Sequence, residues 1–356
     1  MHQLNKIQIK GFKSIEHAEL ELDSLNVVIG ANGSGKSNLI GAFRLLERVL
    51  SHNLQLYVGG DPDRLLHHGQ KTTKSLAMRF QIDLNAYSIL LKLQEDTLIF
   101  GDEIIEFSGK KNFRESLGAG HKESVLEEAA DSHRTRVPKY VFPLVRDLIV
   151  YHFHDTSDTS PAKRTADVED NRALRPNGAN LPAYLYLLQE KHPVAFRRIE
   201  EHLRMVAPFF DRFALAPSRL NTRKIKLEWR QKGSDAYFDA FSLSDGTLRF
   251  ICLATLLLSH TPPPLILLDE PELGLHPAAI HILAEMLEAA SKRSQIILAT
   301  QSVTLLNNFP LSKVIVAEND GQKTLFKRLD EQALSAWLGD FSLGELWEKN
   351  VIGGRP

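Results

Sequence analysis

The chain has 356 residues, of which 43% are hydrophobic and 24% charged, a composition typical of a folded protein of one large or two modest domains. Lys and Arg (43) balance Asp and Glu (44), so the net charge of −1 favours no class of partner, and a nucleic-acid surface would have to be a local patch. Cys252 is the single cysteine, which excludes an intramolecular disulfide. The sequence shows neither the apolar core of a signal peptide nor an apolar run long enough to span a membrane, which predicts a cytoplasmic protein without a membrane partner.

The first predicted elements surround a glycine-rich loop. Polar and apolar residues alternate over residues 4–22 around a turn at residues 11–14, which predicts two strands. Residues 25–29 form an apolar run that ends at a glycine, as a buried strand entering a loop does. Apolar residues then recur at helical spacing from Leu39 to Leu50. The order is therefore strand, glycine loop, helix.

The middle of the chain is less regular. Short strands are predicted at residues 77–82, 89–93 and 104–107, and the polar residues 108–133 are predicted to form a loop or a poorly ordered segment. A mostly helical stretch follows, which includes residues 181–188 and 196–206 and is interrupted by Pro193 and Pro208. Residues 134–232 carry 19 Lys and Arg against 11 Asp and Glu. This surplus is either a solvated helical face or a surface that meets a phosphate backbone.

The last third again has an α/β pattern. An apolar helix is predicted over residues 246–259, and strands buried on both faces over 265–268 and 295–299. A helix begins near Pro277 between those strands. Residues 314–317 and 324–328 predict an edge hairpin around the turn Asn319-Asp320-Gly321.

The loop Gly30-Ala31-Asn32-Gly33-Ser34-Gly35-Lys36-Ser37 carries the strongest chemical signal. It matches G-x-x-x-x-G-K-[ST] between a strand and a helix, where curled backbone N–H groups and the helix N-terminus bind phosphate. The pattern assigns Lys36 to the β- and γ-phosphates of ATP and the Ser37 hydroxyl to Mg²⁺. A glycine-rich turn with a chance lysine is the alternative, and the flanking strand and helix argue against it.

Two acidic residues end the predicted strand at residues 265–268. At the carboxyl end of a central strand, Asp269 can hold the Mg²⁺ shell, and Glu270 can orient and deprotonate the attacking water. An apolar run followed by Asp-Glu is weak evidence alone, but it becomes strong when paired with the glycine loop.

A third motif, Leu243-Ser244-Asp245-Gly246-Thr247, precedes the apolar helix. It can be an ordinary Ser-Asp helix cap. Its position about twenty residues before Asp269 favours instead a resemblance to the ABC signature sequence, which implies that the serine and the glycine at the helix N-terminus would cap a γ-phosphate held by the opposite protomer.

Together these motifs resemble the RecF/SMC-like branch of the ABC superfamily of ATPases, which includes the OLD-type defence ATPases. The resemblance covers roughly residues 1–107 and 236–330, and the segment 151–157 looks like one found in a bacterial subgroup. The matching segments, in the family's order, are Phe12-Lys13-Ser14, the loop from Gly30 to Asn38, residues 243–247, residues 267–277 and Ala299-Thr300-Gln301-Ser302.

The resemblance implies a fold, a cofactor and a partner. The fold is an α/β, ABC-type P-loop ATPase head whose mixed-sheet core carries an antiparallel β lobe and a helical insertion. Two ATP molecules with Mg²⁺ would lie between two protomers, each site completed in trans by Ser244, Asp245 and Gly246. Residues 272–276 would cross the dimer interface. The expected parts are ATPase lobe I (1–107), a linker and helical insertion (108–235), ATPase lobe II (236–330) and a C-terminal tail (331–356).

Three features depart from the family pattern. Gln301 stands where the family often has a switch histidine; glutamine can bond the γ-phosphate but carries no proton, which predicts slow hydrolysis. Heptads are missing, so a long coiled coil is not expected. A Q-loop glutamine cannot be placed, since Gln81 lies within a strand pattern. Two histidine pairs, His67-His68 and His152/His154, are interpreted as surface or core residues rather than metal ligands. His152 and His154 are expected on the same face of a predicted strand.

Three functions were compared. The first is an ATP-gated homodimer that senses or organises DNA in repair or anti-phage defence and drives a separate effector such as a nuclease. The second is the nucleotide-binding subunit of a membrane transporter, whose signature usually follows the P-loop after about half the interval found here. The third is a self-contained OLD-type ATPase–nuclease, for which the residues after Gln301 leave too little room.

Overall fold

The computed structural model describes residues 2–132, 136–334, 337 and 339–355. The strands are β1 Leu4–Phe12, β2 Ile15–Glu21, β3 Leu25–Ile29, β4 Ser75–Ile82, β5 Asn85–Gln94, β6 Thr97–Phe107, β7 Phe113–Gly118, β8 Val150–Tyr151, β9 Ala166–Asp167, β10 Phe210–Phe213, β11 Lys224–Ile225, β12 Glu228–Gln231, β13 Tyr237–Asp239, β14 Leu265–Asp269, β15 Gln295–Thr300, β16 Val314–Asn319 and β17 Thr324–Arg328. The α-helices are α1 Lys36–Leu50, α2 Leu54–Val58, α3 Leu126–Asp131, α4 Val137–Arg146, α5 Leu181–Lys191, α6 Pro193–Val206, α7 Asp245–Leu257, α8 Pro277–Ser291, α9 Val303–Leu306, α10 Glu331–Leu334 and α11 Leu343–Glu348.

The central sheet is mostly parallel. Its strand order is β17-β16-β3-β15-β14-β8, and only β17 runs antiparallel to its neighbour. The strands β3, β14 and β15 are almost wholly apolar because both faces of the sheet are covered. The three apolar runs and the edge hairpin predicted from the sequence are confirmed.

The second large sheet is antiparallel, with the order β2-β1-β4-β5-β6-β7. Its strands alternate between buried and less buried residues; along β4 every second side chain is buried. Such alternation belongs to a sheet with one packed face, and here that face meets α1.

Helix α1 lies between the two sheets. Val28 of β3 packs in one core cluster with α1 and the antiparallel sheet, whereas its neighbours Val27 and Ile29 pack in the other cluster with α5 to α8. Successive side chains of β3 therefore point to opposite faces of the sheet, and the sheet separates the core into two layers. The same second cluster contains Cys252, and burial raises the pKa of its thiol to about 12, which agrees with an inert thiol.

The middle of the chain differs from the sequence prediction. The loop predicted at residues 108–133 is wrong for β7 and α3. β7 forms a hairpin with the preceding strand β6 and is the last strand of the antiparallel sheet, and this pairing overrides its polar and glycine-rich composition. His133 lies outside the described residues. The predicted helices at 181–188 and 196–206 are confirmed, and α5 ends just before Pro193, the first residue of α6.

The segment predicted as mostly helical also contains strands. The short strands β10, β12 and β13 form a three-stranded sheet, and β9 pairs with β11. Within the described ranges, no helix is both long enough and apolar enough to cross a bilayer.

Candidate functional site

The loop Gly30–Ser37 joins β3 to α1, as predicted. Gly35 precedes α1 with a φ of +103°, and a Cβ there would collide with the Thr324 side chain. A Cβ on Gly30 would collide with the carbonyl of Ala317. Glycine is therefore required at both positions, because the hairpin β16–β17 packs directly on the loop.

The loop presents polar groups that suit a phosphate. The Ser34 hydroxyl is buried and has no hydrogen-bond partner among the described residues. The N–H groups of Lys36 and Ser37 begin α1, where the first turn has no intrahelical partners and the helix dipole is positive. Asn32 and Ser37 are exposed, and a side chain at Gly33 would meet nothing within 4 Å. The residues present thus fit a phosphate group with its cation.

Lys36 is buried and lies over the loop. Its Nζ donates to the carbonyl oxygens of Gly30 at 2.5 Å and Ala31 at 2.9 Å. Burial lowers the pKa of the ammonium, while the negative charges of Glu270, Asp269 and Glu272 act in the opposite direction. The lysine and the acidic residues, far apart in the sequence, therefore share one electrostatic environment.

Asp269 is the last residue of β14, and Arg44 of α1 approaches it. The Arg44 Nη2 lies 3.5 Å from the Asp269 Oδ2. Burial raises the pKa of Asp269, and the cationic side chains of Arg44 and Lys36 oppose this shift. Arg44 was not predicted as a site residue, although its spacing of eight residues from Lys36 places both near one face of α1.

Glu270 and Gln301 meet beyond the ends of β14 and β15. Glu270 has a positive φ of +41°, and its N–H donates to the Ala299 carbonyl at 2.8 Å. The Gln301 Nε2 donates a hydrogen bond to the Glu270 Oε1. Strained backbone of this kind is typical of functional positions, and here it turns the carboxylate toward Gln301.

Glu272 is a buried carboxyl group near this pair. Its Oε1 accepts a 2.5 Å hydrogen bond from the Thr300 hydroxyl, whereas its Oε2 has no partner among the described residues. Burial raises the pKa of Glu272. The sequence placed Glu272 in a loop that crosses an interface and gave no sign of this burial.

A chain of hydroxyl and amide groups holds the loop against the sheets. Asn38 Nδ2 donates to Ser14 Oγ, and Ser14 Oγ and Thr324 Oγ1 are hydrogen-bonded, both at 2.7 Å. Thr324 Oγ1 donates to the Ser34 carbonyl at 3.0 Å. Lys13 of the same turn is partly buried, and burial lowers its pKa. The turn thus brings Ser14 to the groups that hold the loop, while the Lys13 Nζ lies 3.7 Å from the position of a Cβ built on Gly41 of α1. Thr324 was not predicted from the sequence.

The signature motif lies at the start of α7. The Ser244 side chain caps this helix by accepting from the Thr247 N–H at 3.2 Å. A Cβ on Gly246 would collide with the carbonyl of Gly274. Ser244 and Asp245 are exposed, and none of the hydrogen bonds described for residues 244–246 reaches the Gly30–Ser37 loop. In the described hydrogen bonds, the signature is therefore not joined to the loop of its own protomer.

The histidine pairs are placed in different surroundings. His67 Nδ1 bonds the Lys13 carbonyl, and His68 Nε2 bonds the Gln322 carbonyl, both at 2.8 Å. The expected strand ends at Tyr151, so His152 and His154 lie in the irregular segment after β8 rather than on one strand face. Among the described residues, no group of three or more His, Cys, Asp or Glu side chains is arranged to hold a metal ion.

The basic middle segment forms a surface cleft of about 540 Å³ lined by Arg219, Lys224 and Lys226. Acidic side chains offset part of its charge. Lys224 Nζ lies 3.6 Å from the Asp167 carboxylate, and Lys226 Nζ lies 2.9 Å from that of Glu228.

Comparison with protein families gives one match over most of the chain. Residues 25–307 match the family described as an AAA domain, putative AbiEii toxin, Type IV TA system. The curated relatives match over short stretches: DNA replication and repair protein RecF of Bacillus mycoides is 42% identical over 50 residues, and that of Shewanella loihica is 33% identical over 87. These stretches cover 14% and 22% of this chain and only 13% and 24% of the relatives.

Solved structures match over nearly the whole chain. An Smc head domain derived from Pyrococcus furiosus, bound to the C-terminal domain of ScpA, has a TM-score of 0.59 at 15% identity and covers 96% of this chain and 99% of that one. The Smc head domain of Pyrococcus yayanosii has a TM-score of 0.53 at 14% identity, with 96% and 99% covered. The fold is therefore that of the ABC-type ATPase head, as the sequence predicted.

Proposed function

This chain belongs to the AAA domain family described as putative AbiEii toxin, Type IV TA system, with an ABC-type ATPase fold of the RecF/SMC kind, and on that premise we propose that it binds and hydrolyses ATP as a homodimer. The observation that supports ATP hydrolysis most directly is the meeting of the Gly30–Ser37 loop, Lys36, Asp269 and Glu270 at one edge of the central sheet. Ligands bind at such an edge in open α/β folds.

In the proposed reaction, each residue of the site has a separate role. The loop N–H groups and Lys36 bind the phosphates, and Glu270, aligned by Gln301, orients the attacking water and accepts its proton. Bound Mg²⁺ would supply charge compensation for the phosphates, and Ser37 and Asp269 are the residues that would hold it. Gln301 contributes a hydrogen bond but no proton acceptor, so we expect slow turnover.

The exposed signature supports the dimer. Ser244 and Gly246 head a helix whose N-terminal dipole attracts phosphate, and no phosphate-binding group of the same protomer engages them in the described hydrogen bonds. In a sandwich dimer they meet the nucleotide held by the partner. ATP binding then closes the dimer, and hydrolysis opens it.

At a finer level, we propose that this cycle controls DNA sensing or an effector protein in repair or anti-phage defence. The weak likeness to RecF and the basic cleft support DNA, and the toxin description of the family supports an effector role. The transporter alternative is not favoured, because the signature follows the loop by more than two hundred residues and the fold matches are Smc heads.

The test is Glu270→Gln in saturating ATP and Mg²⁺. We expect a stable dimer by light scattering on a sizing column, because binding remains and the base is lost. Glu285→Gln, on the exposed side of α8, serves as the matched control and should behave like wild type. Lys36→Ala should remain monomeric. A Glu270→Gln protein that binds ATP yet stays monomeric would refute the sandwich dimer.

A further inference from the structure

Arg249 is a buried arginine on α7, three residues after Gly246, with 6% of its surface exposed. Its Nε donates to the Phe153 carbonyl and its Nη2 to the His154 carbonyl, both at 3.1 Å. The guanidinium thus bonds two consecutive carbonyls of the segment that follows β8. Its planar arrangement of donors suits such a pair, which a lysine cannot reproduce.

The same side chain also reaches the loop that follows β14. A Cβ built on Gly274 would lie only 3.3 Å from the Arg249 Nη1, and Gly274 itself packs against Gly246. Arg249 therefore lies where three pieces of chain meet: the first turns of α7, the segment after β8 and the loop after the acidic pair Asp269-Glu270.

The segment after β8 lies beside that acidic pair. β8 runs parallel to β14, with Val150 opposite Leu267 and Tyr151 opposite Leu268. The segments that follow these two strands therefore leave the sheet at the same edge. His154 is half-buried there; burial lowers its pKa, Arg249 lowers it further, and the carboxylates of Asp269 and Glu270 act in the opposite direction. The imidazole thus lies within the electric field of these carboxylates.

A purely structural role does not require this arrangement. The guanidinium is buried and its hydrogen bonds go to neutral carbonyls, so it bears a desolvation cost that an apolar side chain would avoid. The rest of α7 is held by apolar packing, since residues 250–254 are all buried.

We propose that Arg249 is a positioning residue that couples the two nucleotide sites of the dimer. This inference rests on the proposed ATP sandwich. The N-terminus of α7 meets the partner's nucleotide, and Arg249 transmits its position to the His154 segment beside the protomer's own Asp269 and Glu270. Engagement of one site therefore sets the catalytic geometry of the other.

The experiment compares Arg249→Lys with Arg293→Lys. Arg293 makes the same kind of contact at the other end of α7, where its guanidinium donates to the carbonyls of Leu257 and Ser259, each at 3.1 Å. Three quantities are measured in the full-length protein: the affinity for a fluorescent ATP analogue, ATP-dependent dimerisation in the Glu270→Gln background, and kcat.

We expect Arg249→Lys to bind the analogue within about twofold of wild type and to dimerise, while kcat falls about tenfold. Arg293→Lys should keep its kcat. Equal kcat values for the two variants, or loss of analogue binding by Arg249→Lys alone, would overturn the coupling. If wild type itself neither dimerises nor hydrolyses ATP, the proposed function fails first and the coupling fails with it.

A double-mutant cycle separates positioning from general destabilisation. His154→Asn should also lower kcat, and adding Arg249→Lys should lower it no further, because both changes act on one segment. Additive losses, or a His154→Asn protein with wild-type kcat, would overturn the proposal. If Arg249→Lys does not fold, the double-mutant cycle uses Arg249→Gln instead. The kcat of His154→Asn tests the proposal without either arginine variant.

Discussion

Gln301 donates a hydrogen bond from its side-chain amide to the Glu270 carboxylate, across the ends of the neighbouring parallel strands β15 and β14. Glu270 is held in a left-handed backbone conformation by the bond from its N–H to the Ala299 carbonyl. Both contacts fix the direction of the carboxylate that we assign as general base. In the proposed mechanism, Gln301 therefore orients the base rather than sharing its proton.

Removal of that amide should therefore affect turnover and not binding. We expect Gln301→Leu to lower kcat about ten- to a hundredfold, because the base loses its alignment, while ATP affinity changes little. Steady-state ATPase assays and titration of a fluorescent ATP analogue measure the two quantities. Gln189→Leu on α5 is the control and should match wild type. Weaker binding with an unchanged kcat would place Gln301 among the nucleotide contacts instead.

Thr324 should support both stability and nucleotide binding. It is fully buried, and its hydroxyl connects Ser14 to the Ser34 carbonyl. Thr324→Val leaves the Ser34 carbonyl without this donor and leaves Ser14 Oγ with only its bond from Asn38. We therefore expect a loss of about 1–3 kcal/mol in the free energy of unfolding, together with weaker ATP binding.

Thr255→Val provides the control for this change. Thr255 is equally buried, but its hydroxyl bonds only the Ile251 carbonyl within α7. Its loss should reduce the melting temperature without altering ATP affinity. The same effect of both substitutions on affinity would contradict a specific role of Thr324 at the loop.

The buried carboxyl group of Glu272 should make stability depend on pH. Its pKa in the folded protein lies above the ordinary value of 4.5, so the native state holds this proton more tightly than the unfolded state. The charged form therefore destabilises the native state at neutral pH, and this effect disappears as pH falls through the raised pKa toward 4.5.

Glu272→Gln removes the charge and keeps an oxygen for the Thr300 hydroxyl. We expect a higher melting temperature than wild type at pH 8 and a difference that vanishes as the pH approaches 4.5. Thermal unfolding across this range checks it, with Glu285→Gln as an exposed control that should show no such trend. A destabilised Glu272→Gln at pH 8 would contradict this prediction and show that attraction to the nearby cations Lys36 and Arg249 outweighs the burial of the carboxylate.

The basic cleft should bind DNA if the finer part of the proposal is right. We expect Arg219→Glu with Lys226→Glu to weaken binding to duplex DNA and to reduce the slope of affinity against salt by about one per lost phosphate contact. Reversal of the exposed Lys110 and Lys111, on the turn between β6 and β7, provides a control of equal charge. Equal effects of the two pairs would indicate a nonspecific contribution of net charge.

The pairing of basic residues with acids limits the expected size of that effect. Arg223 and Lys224 lie within 4 Å of the Asp167 carboxylate, and Lys226 is bonded to Glu228. The sequence count gave a surplus of positive charge over residues 134–232 but not its arrangement in space.

Local patterns were sufficient for a large part of the structure. The apolar runs of β3, β14 and β15, the glycine loop and α1 were predicted because each depends on residues that are neighbours in the chain. The same holds for the helices α5 to α8. By contrast, the polar and glycine-rich composition of the β7 segment predicts a loop, and its strand conformation comes from pairing with β6.

The sequence by itself determined that this chain has a phosphate-binding loop, an acidic pair after a buried strand and a signature-like helix cap. Only the tertiary structure decided that Arg44 reaches Asp269, that Thr324 braces the loop, and that Arg249 joins α7 to the segment carrying His154. The physical reason is that these contacts link residues up to about three hundred positions apart, and their geometry depends on how the two sheets and α1 pack.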